Sequence, residues 1–316
     1  MRTIFSILFV LLGLQLYGQQ VEVCSLEQAG CQRYDLWPVG RQPLSLLQGE
    51  ALPTDSIARS RIWRCGVPRL YAFRPVKEER SQTAVVIIPG GGYVKQAYEV
   101  SGISLAQWLN SIGITAFVLL HRLPNQPELT DPWRATMQDC QRAIRWVRGH
   151  ADEFGLDPER IGVMGTSAGA HLSACVSTLQ EDWAAIGDAL DGVSHRPDFA
   201  ILISPIINER VPETAGKRMD LCGVSPEDVT WQRLFAIDEE VSQQNPPTLL
   251  IHAADDPAVP ALNSVRMYEA LLRKGVEGCS LHIFPQGKHS IALRHQPGIT
   301  ALWPEIVERW MEEVME

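Results

Sequence analysis

A glycine-flanked serine between an apolar run and a helix-compatible stretch constrains the folding of this 316-residue chain more than any other feature. Residues 161–165 are typical of a short buried strand, and a helix can begin at Ala168. Gly165-x-Ser167-x-Gly169 joins the two and is the nucleophile-elbow pattern, a sharp strand-to-helix turn that lifts the serine hydroxyl above a sheet. Glycines suit such a turn because a Cβ at either position would collide with the neighbouring strand or helix. The rest of the sequence must supply the partners of this serine.

The composition is that of a globular protein and excludes several kinds of site. With 45% hydrophobic and 21% charged residues, the chain can bury a sizeable core. A net charge of −9 and the lack of a Lys/Arg cluster argue against nucleic-acid binding. The sequence also has no zinc-type Cys/His spacing and no Gly-Lys-Ser/Thr phosphate loop. We therefore expect neither a metal nor a cofactor.

Residues 1–18 predict a signal peptide. Arg2 supplies the positive start, residues 4–16 the apolar core, and Gly18 the small residue before a cut ahead of Gln19. The apolar stretch is too short for a comfortable membrane span, and the alternative is a buried N-terminal helix. We expect an exported protein, periplasmic or secreted, with no stable membrane insertion after the peptide is removed.

The remaining chain divides into two predicted parts. Residues 19–80 are irregular and proline-dotted, and predict an N-terminal extension with short strands near 62–63 and 70–73 that packs on a catalytic domain at 81–316. In the extension, Cys24 and Cys31 could pair in an oxidising compartment, although spacing alone does not fix their geometry. For the other cysteines we expect mainly buried free thiols: Cys65, Cys140, Cys175, Cys222 and Cys279.

From residue 84 onward, apolar strands alternate with helices. Continuous apolar strands separated by helices are typical of a parallel sheet covered on both faces. The predicted class is therefore α/β, with a mostly parallel central sheet and helices on both faces. We predict strands at 84–89, 114–121, 160–165, 199–204, 247–254 and 280–284, and helices at 104–112, 133–154, 168–180, 261–274 and 302–315, with an irregular stretch from 205 to about 245.

Three consecutive glycines, Gly90, Gly91 and Gly92, follow the first strong strand. Glycines leave the backbone free to turn its N–H groups inward, and two such amides together with that of Ala168 could hold the oxyanion of a tetrahedral intermediate. The alternative is an ordinary glycine-rich turn. An oxyanion loop belongs upstream of a nucleophile elbow, and this loop has that position.

The expected acid and base follow the serine in chain order. Asp255 and Asp256 come just past the strand at 247–254, and His289 lies on a Gly-containing loop directly after the strand at 280–284. We favour Asp256 over Asp255 because Asp256 begins an Asp-Pro-x-Val-Pro turn that would aim its side chain sideways. We expect Asp255 to cap a turn or helix instead.

The other histidines have structural explanations. His252 and His282 lie in predicted strands, and His121 ends one. His171 is one helical turn beyond Ser167 and is expected to pack behind the elbow rather than to act as the base. We expect surface or loop positions for the rest: His150, His195 and His295.

These motifs resemble the bacterial acetyl xylan esterase and feruloyl esterase type of α/β-hydrolase, related more distantly to hormone-sensitive-lipase-like esterases and prolyl-oligopeptidase-like peptidases. The resemblance implies an α/β-hydrolase fold, with Ser167 as nucleophile, Asp256 as acid and His289 as base. It also implies that Gly91, Gly92 and Ala168 donate to the oxyanion. The matching segments are 36–38, 89–93, 113–119, 139–144, 157–162, 196–199, 245–248 and 252–264.

This sequence departs from the residues that are usual in the family at three places: at Thr166, at Ala170, and in the loop 287–292, where Lys288 precedes the expected base.

We interpret the protein as an exported serine esterase that removes acyl groups, acetyl in particular, from carbohydrates through an acyl-enzyme. Its expected partner is an acylated carbohydrate or another small ester. The alternatives are a prolyl-oligopeptidase-like peptidase or a general carboxylesterase and, more remotely, a non-catalytic binding protein of the same fold.

Overall fold

The strands assemble into one eight-stranded sheet and a separate two-stranded hairpin. The structure is a computed structural model and describes residues 30–49, 55–58, 60–76, 81–210, 212, 229–291, 296 and 298–315. The strands are β1 (Gln32–Asp35), β2 (Ser56–Ala58), β3 (Arg61–Arg64), β4 (Arg69–Phe73), β5 (Ala84–Ile88), β6 (Thr115–Leu120), β7 (Ile161–Thr166), β8 (Ala200–Ile203), β9 (Thr248–Ala253) and β10 (Ser280–Phe284).

The large sheet has the order β1-β4-β6-β5-β7-β8-β9-β10. Six neighbouring strands of this order pair in parallel: β6, β5, β7, β8, β9 and β10. Strand β4 is antiparallel to both β6 and β1. The prediction of a mostly parallel central sheet is confirmed. The order reverses direction around β5, which lies between β6 and β7, so the loops that follow β5 and β7 are neighbours at the carboxyl edge, where ligands bind in open α/β sheets.

Helices cover both faces of the sheet. Buried side chains of α2, α4 and α6 form the core on one face, and those of α1 and α7 form the core on the other. The helices are α1 (Ser104–Ser111), α2 (Pro132–Gly149), α3 (Ala151–Phe154), α4 (Ala168–Thr178), α5 (Val229–Leu234), α6 (Leu262–Arg273) and α7 (Trp303–Met315).

Two predictions about helices were wrong. The single helix expected at 133–154 ends at Gly149 and resumes as the short α3, because His150 leaves helical geometry (φ −113°, ψ 17°). Its ring stacks on Trp146, and its Nδ1 contacts the Trp146 carbonyl at 2.7 Å. The stretch after β8, expected to be irregular, contains α5 and a 3-10 turn at Ile237–Glu240.

The segment before residue 81 is more regular than its sequence suggests. It contributes β1 and β4 to the central sheet, and β2 and β3 form the hairpin, whereas the sequence predicted only the strands that became β3 and β4. The proposed signal peptide, its cleavage point and Cys24 lie outside the described residues. Within the described part of the chain, no helix is long and apolar enough to cross a membrane.

A buried ion pair joins this N-terminal segment to the sheet. Arg122, just past β6, contacts Asp139 of α2 at 2.7 Å, and neither side chain is exposed to solvent. The indole Nε1 of Trp37 donates to the same carboxylate at 2.7 Å, and the Arg122 guanidinium donates to the carbonyl of Pro43. Because a buried carboxylate must be paired and hydrogen-bonded, this network fixes where the N-terminal segment crosses α2.

Candidate active site

The turn from β7 into α4 brings Ser167 to the carboxyl edge of the sheet. Ser167 has φ 55° and ψ −122°, an uncommon backbone conformation for a residue with a side chain, and its amide donates to Ile203 O at 2.9 Å. A Cβ on Gly169 would lie 2.0 Å from Ile88 O, and one on Gly165 would lie 2.2 Å from Gly169 O. Glycine is therefore required at both positions, so that α4 can lie this close to β5 and to β7.

Ser167, His289 and Asp256 form a continuous chain of hydrogen bonds. The Ser167 Oγ and His289 Nε2 are 2.8 Å apart, and His289 Nδ1 and Asp256 Oδ2 are 2.7 Å apart. The Asp256 side chain is fully buried, whereas that of His289 is 28% exposed. This geometry is the one in which a carboxylate orients an imidazole that can take a proton from a serine hydroxyl.

Several hydrogen bonds hold Asp256 ionised. Burial opposes its ionisation, but contacts from His252 and His289 and from the amides of Val259 and Ala258 outweigh it and hold the pKa of Asp256 below its usual range. Its Oδ1 accepts from both amides, at 2.9 Å from Val259 and 2.8 Å from Ala258. The carboxylate is therefore fixed in direction as well as in charge.

Asp255 has a different partner from the one the sequence suggested. It was expected to cap a local turn or helix, but its Oδ1 accepts from the backbone amide of Lys288 at 2.8 Å. Two residues further along the loop, Ser290 N donates to Ser204 Oγ at 3.2 Å. The two aspartates thus have different partners. Asp256 contacts the His289 imidazole, and Asp255 holds the loop that carries it.

The glycine loop after β5 lies against the elbow. Gly91 and Gly92 have φ of 148° and 66° and line the same cavity as Ser167, and Ala168 begins α4 directly after the serine. A Cβ on Gly91 would lie 2.0 Å from Lys95 O, so only glycine fits there. The structure thus places Gly91 and Gly92 in the lining of the cavity that Ser167 also lines, and Ala168 directly after the serine.

Tyr93 and His171 form a buried support behind this loop, which the sequence reasoning anticipated only in part. Tyr93 has φ 62°, and its hydroxyl lies 2.5 Å from His171 Nδ1. On the other side of the ring, His171 Nε2 contacts Leu234 O at 2.7 Å. Burial lowers the pKa of His171 to about 4, so the ring is neutral at pH 7. His171 packs behind the elbow, as expected.

The remaining described histidines also have structural contacts. His252 Nδ1 contacts Ser264 Oγ at 2.8 Å, and His282 Nε2 contacts Ser280 Oγ at 2.9 Å. His121 is buried, with its Nδ1 2.7 Å from Arg122 O. The surface-or-loop prediction was incomplete for His195, which lies in a loop but is buried. His295 lies outside the described residues.

A cavity of about 590 Å³ opens over the serine. Its apolar side chains come from α1 and the segment before it and from the loops after β8, β9 and β10, whereas Arg61 and Lys95 contribute cations and Glu209 a carboxylate. The polar hydroxyl and imidazole therefore face a partly apolar, partly cationic space. The cavity is lined by Arg61, Gly90, Gly91, Gly92, Lys95, Ala97, Val100, Ser101, Leu105, Thr166, Ser167, Ile206, Glu209, Ala258, Val259, His289, Ser290 and Ile291.

Among the described residues that line this cavity there is no cysteine and no cluster of metal-ligating side chains. No group of three or more His, Cys, Asp and Glu side chains could hold a metal ion within the ranges that the structure describes. Cys65, Cys140 and Cys175 are buried, and burial raises the pKa of each thiol. Cys222 lies outside the described residues.

A serine on a strand-to-helix elbow above a mostly parallel sheet, followed in chain order by an aspartate and a histidine, defines the α/β-hydrolase class. A family model described as BD-FAE matches residues 70–207. An acetyl ester-xyloside bifunctional hydrolase from Caldicellulosiruptor lactoaceticus has a crystal structure that matches this one with a TM-score of 0.73 and 33% sequence identity, covering 90% of this chain and 96% of that chain. The chain therefore belongs to the α/β-hydrolase esterases.

Two curated relatives extend the comparison. An acetylxylan esterase of Xylanibacter ruminicola is 33% identical over 228 residues, which cover 71% of this chain and 44% of that protein. Endo-1,4-beta-xylanase B of Butyrivibrio fibrisolvens is 26% identical over 260 residues, which cover 78% of this chain and 40% of that protein. The chain thus spans less than half the length of these two relatives.

The two adjacent aspartates can be separated by kinetics. Asp256→Asn is expected to lower kcat by about 10⁴-fold, because an amide cannot enforce the imidazole tautomer that the serine needs. Asp255→Asn keeps an oxygen acceptor for the Lys288 amide and is expected to cost far less. Steady-state hydrolysis of p-nitrophenyl acetate by both variants checks this, with thermal unfolding as the control for folding. The reverse ranking would contradict the assignment.

The buried His171 predicts a pH dependence of stability. Its pKa is lower in the folded state than in the unfolded state, so the unfolded chain takes up a proton first as the pH falls below about 6.5. Stability from this group is complete above pH 6.5 and is lost toward pH 4, where the loss reaches about 3 kcal/mol.

The matched variant is His171→Gln, since the glutamine amide offers both a donor group and an acceptor oxygen but does not titrate. Free energies of unfolding from urea titrations between pH 7 and pH 4 should fall more steeply for the wild type than for this variant. The other histidines are present in both proteins and cancel in the difference. Parallel curves for the two proteins would refute the contribution of His171.

Proposed function

We propose that this protein is an exported serine esterase that removes acyl groups, acetyl in particular, from carbohydrates. The observation that carries the proposal is the hydrogen-bonded chain from Ser167 through His289 to the buried Asp256, beneath a cavity at the carboxyl edge of the sheet. Membership of an esterase family whose relatives include an acetylxylan esterase supports the reaction class.

The proposed chemistry proceeds through an acyl-enzyme. Ser167 Oγ attacks the ester carbonyl carbon while His289 Nε2 takes the hydroxyl proton, and Asp256 stabilises the imidazolium that results. The amides of Gly91, Gly92 and Ala168 donate to the oxyanion, and one such donor contributes about 2.7–4 kcal/mol. His289 then protonates the departing alcohol. Water, activated by the same imidazole, releases the acid and restores Ser167.

A carbohydrate leaving group accords with the lining of the cavity. Arg61, Lys95 and Glu209 supply charged and hydrogen-bonding groups, which a long acyl chain could not use. Apolar contact is available from Leu105, Ile206 and other side chains, enough for a short acyl group. The names of the relatives that act on xylan-derived esters or xylosides support a sugar substrate.

A series of p-nitrophenyl esters tests the acyl group. We expect kcat/KM to be highest for acetyl, lower for butyryl and lowest for octanoyl. In an open acyl channel each added CH₂ would contribute about 0.8 kcal/mol, so the octanoyl ester would be strongly favoured. A value that rises with chain length would instead indicate a general carboxylesterase.

Two further measurements complete this test. Ser167→Ala should lose about 10⁵–10⁶-fold in kcat, because the members of such a triad act as a unit. Release of acetate from acetylated xylo-oligosaccharides should exceed the hydrolysis of feruloyl esters and of dipeptide amides. Preferred cleavage of Ala-Pro amides would move the protein to the peptidase class.

Export is the second part of the proposal and derives from the N-terminal sequence. The positive start, the apolar stretch at 4–16 and the small Gly18 support removal of a signal peptide. N-terminal sequencing of the protein from its native host should begin near Gln19. An intact Met1, or a lipid on Cys24, would overturn the proposal of a soluble exported protein.

A further inference from the structure

The hairpin of β2 and β3 is joined directly to the loop that follows the three glycines. Ile62 N donates to Gln96 O at 3.0 Å, and Gln96 N donates to Ile62 O at 2.8 Å. The Gln96 side chain is fully buried and makes two hydrogen bonds to the backbone of His121, at 2.7 and 3.1 Å. The hairpin is therefore held in a fixed position relative to Ser167.

This pairing decides which side chains face the cavity. Ile62 and Gln96 are both 0% exposed and point into the protein. Successive side chains of extended backbone alternate between faces, so Arg61 and Trp63 lie on the opposite face, beside Lys95. Arg61 and Lys95 line the cavity over Ser167, and the Lys95 Nζ lies 4.7 Å from the centre of the Trp63 ring. Trp63 is 43% exposed.

We infer that Arg61, Trp63 and Lys95 form a subsite for a negatively charged sugar, a uronic acid, in the leaving group of the ester. This inference rests on the proposed function and adds the chemical class of the sugar. An exposed indole offers a flat apolar surface to the C–H face of a sugar ring, and its contact with Lys95 holds that cation in place.

The charge at this point runs against that of the whole protein. The chain has a net charge of −9, yet the wall formed by the hairpin and the glycine loop presents two cations. The carboxylate in the cavity lining, Glu209, belongs to a different element, the loop after β8. A uronate carboxylate held at the hairpin wall would therefore meet opposite charge from Arg61 and Lys95.

A matched pair of substrates tests the subsite. Methyl 3-O-acetyl-β-glucuronide and methyl 3-O-acetyl-β-glucoside differ only at carbon 6, where one carries a carboxylate and the other a hydroxymethyl group. For the wild type at low salt we expect kcat/KM to be about fivefold higher for the glucuronide. The ratio should fall toward one between about 20 mM and about 500 mM NaCl, because salt screens partly exposed charges.

Three variants locate the effect. Lys95→Met keeps the aliphatic stem, and Arg61→Gln keeps a polar side chain; each should lower the ratio, with the neutral glucoside as the reference measured on the same protein. Trp63→Ala should lower kcat/KM for both sugars and should also lower the ratio, because Lys95 loses its contact with the indole. Lys274→Met, at the far end of α6, is the matched control and should keep the wild-type ratio.

Inhibition separates this inference from the proposed function. Methyl β-glucuronide and methyl β-glucoside, neither of them acetylated, are tested as inhibitors of p-nitrophenyl acetate hydrolysis. If neither acetylated sugar is cleaved but the glucuronide inhibits several-fold more strongly, the carbohydrate-ester function fails and the subsite stands. A wild-type ratio of one with normal cleavage of both sugars, or a ratio that neither Lys95→Met nor Arg61→Gln changes, would overturn the subsite.

Discussion

The close approach of α4 to the strands on either side of Ser167 is the constraint on which the rest of the site depends. The backbone of Gly169 touches Ile88 of β5 so closely that a single added carbon would lie 2.0 Å from the Ile88 carbonyl oxygen. This contact holds Ser167 in its strained conformation and directs the start of α4 at the cavity. Strain of this kind persists only where surrounding structure over-determines it, and here the sheet supplies that support.

Polar contacts hold each of the loops around the serine. Tyr93 and His171 support the glycine loop, and Asp255 holds the loop that carries His289. Asp256 is fixed by the amides of its own turn. Because a hydrogen-bonded constellation must hold its geometry closely to act, these contacts support the three side chains in line.

The segment before residue 81 contributes both to the central sheet and to the lining of the cavity. Its strands β1 and β4 extend the sheet, its Trp37 shares the buried carboxylate of Asp139, and Arg61 of its hairpin lines the cavity. The acyl chemistry proposed here draws on loops after β5, β7, β9 and β10. In the subsite that we infer, the choice of leaving group depends on Arg61 and Trp63 of this N-terminal segment.

Local signals in the sequence determined the strand and helix alternation, the elbow, and the chain order of Ser167, Asp256 and His289. These features are readable because glycine spacing, apolar periodicity and loop position are properties of a few adjacent residues. The break of the long helix at His150 and the helical turns after β8 were missed, since they depend on contacts such as the stacking of His150 on Trp146.

Only the tertiary structure decided which residues meet across long separations. Asp255 accepts a hydrogen bond from an amide 33 residues away, and His171 makes hydrogen bonds with Tyr93 and Leu234. The backbones of Ile62 and Gln96 pair through two hydrogen bonds. No pattern in the sequence predicts these contacts, because each depends on how the parallel sheet brings separate loops to one edge. The sequence by itself identified Ser167, Asp256 and His289 as the candidate reacting groups, and the fold decided what holds them and what lines the cavity around them.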